Sequence, residues 1–487
     1  MNGPNHPREL FARRTSRCIT SCDSLAMVLS FLRLSLLGLL AATLSIAAPS
    51  VSLTGNTVLD NSGIYFVSYD GLVNVNSFQL SGILTHGDYQ FAAWYDASGV
   101  ASLARRTLPD GGWDKLSLNH TLQAKDSHNV IALGVSPKDG VLHVAMDCHS
   151  STMYYTSSTA GLATGDASWA ASSFGSVVTT LGNLDITKTI TYPQFVVTPQ
   201  NLLQFVYRTG ISGNGEAQLA EYAGGSWQGV GQWSSASGSY SSEHGSSSAR
   251  SLYIHGFTYH GDRAYVTGTW REQSGSVSCN SGGLTNHDTV YFYSDDYGRT
   301  WSNNASQSIG TSGSSPIGVS TSGIIVDPLN PDHGLMNQES QAIDSSGLPH
   351  AIISYVPGRF TQCVTNYASD RTRYAHPFHL YQTSSGAFTK VEIPYAINAV
   401  GRSQIAFDAE DNVYVVLPYV DVVTASKASG WTDWDVAYNG TEEGLNAFGE
   451  VTIDRARLED GVLSVLYQEK SSGSSSPVRV VDFQLGG

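Results

Sequence analysis

Three stretches of the chain carry side chains able to move protons or neutralise an anion. His128 and His149 bracket the core of KDSHNVIALGVSPKDGVLHVAMDCHSS, and Tyr192 and Arg208 flank the hairpin in TYPQFVVTPQNLLQFVYR. Arg250, Tyr253, His255 and Arg271 lie in ARSLYIHGFTYHGDRAYVTGTWRE. Each stretch reads as two apolar strands around a tight turn, with its polar residues at the strand ends. His, Tyr and Arg without a convincing carboxylate pair suit β-elimination at a uronic acid. That reaction removes a weakly acidic proton beside a carboxylate, so the carboxylate is neutralised by Arg or His. A Tyr or His then acts as base, and another protonates the departing oxygen. Glycoside hydrolysis needs instead two carboxylates about 5 to 9.5 Å apart. Asp126, Asp147 and Glu216 lie near enough in sequence to keep that alternative open.

For such residues to meet, equivalent strands must converge. The same turn-and-strand phrase recurs seven times, marked by Asp88, Gly140, Asn201, Asp262, Gly347, Asp411 and Gly461. β-type units repeating about every 60 residues point to a propeller, in which sheets surround a central channel and the strand ends at one face share a pocket. The expectation is an all-β chain, a seven-bladed β-propeller. Only 14% of residues are charged, while Gly (49), Tyr (25) and Trp (9) are plentiful, which suits strands and tight turns and not a helical bundle. SDDYGRTW adds a further signal: Ser294, Asp296, Gly298, Thr300 and Trp301 form the Asp-box pattern, a hairpin turn that supports the fold and carries no chemistry.

The first 48 residues read separately. Arg33 precedes an apolar run from Leu34 to Ile46, followed by small residues at Ala47 and Ala48, the layout of a cleaved secretory signal. Residues 1–48 are therefore expected to be an N-terminal extension and signal peptide, and 49–487 a single catalytic domain, secreted and extracellular. The chain carries a net charge of −15, and the leader is itself basic, so the remainder is more acidic still and suited neither to nucleic acid nor, once the signal is gone, to a membrane. Sequons at Asn119, Asn304 and Asn439 are candidate glycosylation sites. Cys279 and Cys363 lie in Gly/Ser/Asn-rich loops and are the expected disulfide, with Cys148 a buried thiol. His143, His350 and His376 read as structural. His287 and Asp288, beside the Asp box, are candidate ligands for a structural Ca2+. No cofactor is required for the chemistry, and the other metal content is open.

The phrases DSHNVIALGVSPKDGVLHV with DCHSS, TYPQ, YRTGISGNGE, YIHGFTYHGDRAYVTGTWRE, HDTVYFYSDDYGRTW and NQESQAIDSSGLPH occur in order over residues 60–420. Together they resemble the BNR-repeat-containing family that includes propeller polysaccharide lyases, namely ulvan lyases and fungal rhamnosyl-glucuronate lyases. The resemblance implies seven blades and a secreted lyase acting on an acidic plant or algal polysaccharide, expected as a monomer. It implies His128 and His149 as an active-site pair, Tyr192 as the catalytic tyrosine, Arg208 as the carboxylate-binding arginine and Tyr253 as a substrate-contacting tyrosine. In that reading His128 takes the C5 proton, Tyr192 protonates the leaving oxygen or acts as both acid and base, His149 with Arg208 holds the carboxylate, and Tyr253 orients the sugar. Arg250 or Arg271 can stand in for Arg208. The rhamnosyl-α-1,4-glucuronate linkage of gum-arabic-type glycans is the expected target. An ulvan-type endo-lyase, a sialidase-like hydrolase and a non-catalytic carbohydrate-binding propeller are the alternatives. Action at chain ends would need one side of the channel blocked, for which the Ser212–Ser251 stretch is a candidate.

Overall fold

The computed structural model describes residues 48–76, 78–186 and 189–486. The expected signal segment, with Cys18 and Cys22, lies outside them except for Ala48. Residues from Ala48 onward form one compact unit, almost wholly of antiparallel sheets. Among the described residues there is one α-helix, Tyr367–Tyr374 (α1). No helix among them is long and apolar enough to cross a membrane.

Each recurring turn phrase is the first hairpin of a sheet, because Gly, Asn or Asp at the marker takes the positive φ that the turn demands; Gly140 (64°), Asn201 (58°) and Gly461 (71°) are examples. Sheet 1 starts at Ile83–His86, sheet 2 at Val130–Ser136, sheet 3 at Ile190–Val197 and sheet 4 at Ser246–His260. Sheets 5, 6 and 7 start at Ser340–Ile343, Gln404–Phe407 and Thr452–Asp454. Sheet 7 is completed by both ends of the chain: Ser50–Ile64 pairs along Ser475–Gly486. The apolar alternation of adjacent sheets interlocks in shared cores, as where Leu133 and Val144 of sheet 2 pack with Phe91 and Leu103 of sheet 1.

The seven-bladed expectation is corrected to six blades. Six sheets reach four strands or more, but sheet 2 stops at three: Val130–Ser136, Val141–Asp147 and Met153–Ser157. Beyond Ser157 the chain turns through residues 159–168 instead of returning as an outer strand. Two isolated bridges, Tyr155 to Val178 and Ser158 to Phe174, stand where that strand would run. A seventh hairpin was legible as a phrase, but the strand that would complete a blade has no apolar alternation to specify it.

The Asp box behaves as its residue types dictate. Asp296 Oδ1 accepts from the Arg299 (3.1 Å) and Thr300 (2.7 Å) amides, Gly298 sits at φ 81°, and Trp301 is buried beside Trp233 with ring centroids 5.3 Å apart. Cys279 and Cys363 are joined, and Cys148 is a buried free thiol. The disulfide ties a loop of sheet 4 to the loop of sheet 5 that leads into α1, closing 84 residues of sequence. Changing Cys363 to Ser is expected to cost about 2–4 kcal/mol, read as a lower melting midpoint without loss of the sheet signal by circular dichroism. Of the sequons, Asn119 is exposed and Asn439 half-buried. Asn304 donates its amide to Gly386 O (2.8 Å). A glycan on that nitrogen would displace this bond, so Asn304 is a poor acceptor in the folded chain.

Candidate active site

His128, Tyr192 and Tyr253 come together because the innermost strands of sheets 2, 3 and 4 all begin at the same pole of the channel. His128 stands two residues before Val130, in the turn Asp126–Asn129. His149 opens the short strand His149–Ser151, which pairs with the edge of sheet 3. Its neighbours Asp147 (62°), Cys148 (85°) and Ser150 (47°) all have positive φ, a concentration of strain that places the imidazole and that ordinary packing does not call for. Tyr192 (φ 61°) sits in a bulge where the pairing of Ile190–Val197 with Leu203–Ile211 shifts register, and the bulge re-aims its side chain.

One carboxylate organises both histidines. Asp126 Oδ1 accepts from the His128 amide (2.9 Å) and pairs with His128 Nδ1 (2.8 Å), while Oδ2 pairs with His149 Nδ1. The two rings stack with centroids 3.9 Å apart. Burial tends to raise the Asp126 pKa, but hydrogen bonds from His128 and His149 hold it well below the usual carboxylate range. His128 is pushed down to about 4, chiefly by burial, with Asp126 opposing. It is therefore neutral at ordinary pH. With Nδ1–H directed to Asp126, its Nε2 is left as a proton acceptor.

Beside them lies a phenol–guanidinium cluster. The Arg208 guanidinium carbon sits 4.7 Å from the Tyr192 ring centre and 4.9 Å from that of Tyr253. Arg208 is 4% exposed. It donates to Thr191 Oγ1 (3.3 Å), and its Nε and Nη1 have no partner among the described residues. Burial first, then Tyr253, raises the Tyr192 pKa, so this phenol stays protonated. Burial acts upward on Tyr253 too, but Arg208 and Arg271 draw it down to about 8. Ser212 Oγ and Tyr253 OH are hydrogen-bonded at 2.9 Å.

Arg271 joins the site and Arg250 does not. Residues 251 and 253 share one face of their strand, paired with 271 and 269, whereas Arg250 pairs opposite Glu272 on the other face. Arg250 is fully buried there, bound through Nε (2.8 Å) and Nη2 (2.9 Å) to Glu272. Its proposed contact with substrate is withdrawn. His287 is similarly committed: Nε2 is 3.1 Å from Glu272 and Nδ1 3.0 Å from Asp288, so neither ring nitrogen is left for a Ca2+ ion. Asp126, His128 and His149 do bring ligand atoms within 4.8 Å of one another; here they bond each other. Of the carboxylates considered for hydrolysis, Asp126 is thus held between two rings, and Asp147 is buried against Tyr95 (3.0 Å) and His120 (2.9 Å). Glu216 is half-buried on the strand Asn214–Ala223, opposite Thr209. His143 (to Tyr155, 2.6 Å) and His350 (to His379, 2.8 Å) sit inside sheet cores, and His376 lies 2.9 Å from Glu392.

Several residues of this pole escaped the sequence reading. Arg402, from the start of sheet 6, lies 5.4 Å over the Phe78 ring and binds Glu450 (2.7 Å) and the Asn337 carbonyl (2.6 Å). Phe78 stacks on His128 at 4.9 Å. Tyr69 is edge-on to His128 (4.9 Å) and His149 (5.5 Å). Its neighbour Asp70 accepts from the Tyr367 hydroxyl of α1 (2.9 Å), a strap from one side of the pole to the other. Tyr69, Asp70, His128, Arg271, Tyr367 and Arg402 line a cavity of about 120 Å3. The Ser212–Ser251 stretch, by contrast, is mostly built into the strands of sheets 3 and 4.

Residues 89–396 match a family model described as BNR repeat-containing family member. No curated protein sequence matches the chain. Among solved structures, the chain is similar to the polysaccharide lyase Uly1, with TM-score 0.65 and 16% identity over 89% of this chain and 99% of that one. It is also similar to an ulvan lyase bound to -[GlcA(1-4)Rha3S]-, with TM-score 0.62 and 12% identity over 88% of this chain and 95% of that one. At these identities the likeness is one of fold.

Proposed function

Because the chain belongs to the BNR repeat-containing family, we propose that its histidine–tyrosine pole is the active site of a secreted polysaccharide lyase acting on a uronate-containing glycan. The observation that carries this is Arg208, packed between Tyr192 and Tyr253, with the Tyr192 ring in turn beside His128 of the stacked histidine pair. The uronate carboxylate is held by Arg208, with His149 and Arg271 beside it. Neutral His128 takes the C5 proton through Nε2. The electron pair forms the C4=C5 double bond, the C4–O bond breaks, and the Tyr192 hydroxyl gives its proton to the departing oxygen. These steps call for no metal or cofactor. Similarity of fold to an ulvan lyase solved with a glucuronate–rhamnose saccharide supports the substrate class.

The finer reading is the rhamnosyl-α-1,4-glucuronate linkage at chain ends, as in gum-arabic-type glycans, with the enzyme a monomer outside the cell. The Tyr69–Asp70 strap supports it, since the Asp70–Tyr367 bond joins two walls of the cavity that His128 also lines. Incubation with gum arabic should release rhamnose and build an unsaturated-uronate absorbance band. Sugar release without the band would mean hydrolysis, and binding without any product would mean a lectin. Band formation on ulvan alone would move the assignment to an endo-lyase. Replacing Asp70 by Ala should shift products from rhamnose toward longer oligosaccharides and raise KM several-fold. An unchanged product pattern would remove the strap from specificity.

A further inference from the structure

The central channel has a second end. Val130–Ser136, Ile190–Val197 and Ser246–His260 all run away from the histidine–tyrosine pole, and five residues of extended chain cover about 16 Å. Val197 and Thr258, at that distance, together with Arg455 help line a cavity of about 270 Å3 that reaches back to Gln194 and His255. None of the residues given a catalytic or substrate-binding role above lines it.

Two independent features of this cavity ask for an anion. The first is Arg455. Its guanidinium donates to Ile405 O (2.9 Å), Ser340 Oγ (2.7 Å) and Gln404 Oε1 (3.1 Å), all neutral acceptors. Among the described residues no carboxylate lies within ion-pairing distance of it, whereas buried Arg106, Arg250 and Arg402 face Asp482, Glu272 and Glu450. Burial draws its pKa down to about 10 with no charged neighbour to offset it. The second feature is His255, which is 1% exposed. Its Nδ1 accepts from the Glu339 amide (3.0 Å), so the ring hydrogen is on Nε2, and among the described residues Nε2 has no partner. The Ser81 hydroxyl, on the same cavity wall, has none either. A buried donor without an acceptor carries a desolvation cost that a bound anion removes.

We propose that the far end of the channel is a binding site for a small oxyanion, of carboxylate or phosphate type, held by the Arg455 guanidinium with His255 Nε2–H as a second donor. It is separate from the elimination site and does not depend on the reading of that site. The test is calorimetric titration of the whole folded protein with sodium glucuronate and with sodium phosphate, each against sodium chloride at equal ionic strength. Which probe binds separates an organic carboxylate from an inorganic ion. Binding should weaken at least tenfold in Arg455→Met, survive in Arg455→Lys, and persist in Arg208→Met. The elimination rate of Arg455→Met should equal that of the unaltered protein. If the Met variant does not fold, Arg455→Gln takes its place. Unchanged affinity in Arg455→Met, loss only in Arg208→Met, or no heat beyond the chloride control would each overturn the proposal.

Discussion

Tyr192→Phe is expected to slow the growth of the unsaturated-uronate band by about 10²- to 10⁴-fold, with no change in melting midpoint. The substitution removes one oxygen and keeps the ring that packs on Phe78 (5.4 Å) and Tyr253 (5.7 Å). Loss of rate at constant stability therefore isolates proton delivery to the leaving oxygen. His128→Ala should lose rate to a similar degree. With His128 titrating at about 4, the unaltered enzyme should gain activity as pH rises through that value, because the imidazole must be neutral to accept a proton. An acid limb near the ordinary histidine value of about 6.5 would argue that another group is the base. A Tyr192→Phe enzyme of full activity would move the acid role to Tyr253.

Arg208→Met should reduce kcat/KM by about 10²- to 10³-fold, the scale of losing one preorganised charge partner for a developing anion. Met keeps most of the aliphatic bulk between the two tyrosine rings. A second consequence separates this role from a merely structural one. Arg208 and Arg271 hold Tyr253 down to about 8. With Arg208 gone, Tyr253 should ionise nearer the ordinary phenol value of about 10, read as its phenolate absorbance in a pH titration. A fall in rate with an unmoved Tyr253 titration would place Arg208 outside the electrostatic cluster. Arg250→Met, in contrast, should unfold the protein more readily by leaving Glu272 buried with one fewer partner, and should not move that titration.

What was legible in the sequence was local. Turn residues have one physical job, so Gly140, Asn201 and Gly461 announced the first hairpin of each sheet. The outer strand missing from sheet 2 was not legible, because the turn phrases mark only the first hairpin of each sheet and say nothing of its outer strand. The site followed the same division. Tyr192, Arg208 and Tyr253 lie on strands, and His128 just before one, whose apolar alternation fixed where their ends fall. Arg250 failed because three residues separate it from Tyr253, and an odd offset reverses the face. That parity was available in the sequence. So was a second signal: His128, Gln338, Arg402 and Glu450 each stand two residues before the first strand of their sheet. Extending the position of His128 around the ring would have found Arg402. Tyr69 and Tyr367 had no such marker, since their places depend on contacts across 297 residues between Asp70 and Tyr367.

The pairing of Ser50–Ile64 with Ser475–Gly486 also sets a timetable. A ribosome makes Ser50–Ile64 before the other sheets and Ser475–Gly486 after them, so in between the earlier strand presents unpaired backbone groups along one edge. The ring is sealed only by the dozen residues Ser475–Gly486, after every other sheet is available. A loss of that dozen should do more than fray an edge. It should leave an open fan of sheets, prone to pairing edge to edge with another unfinished copy.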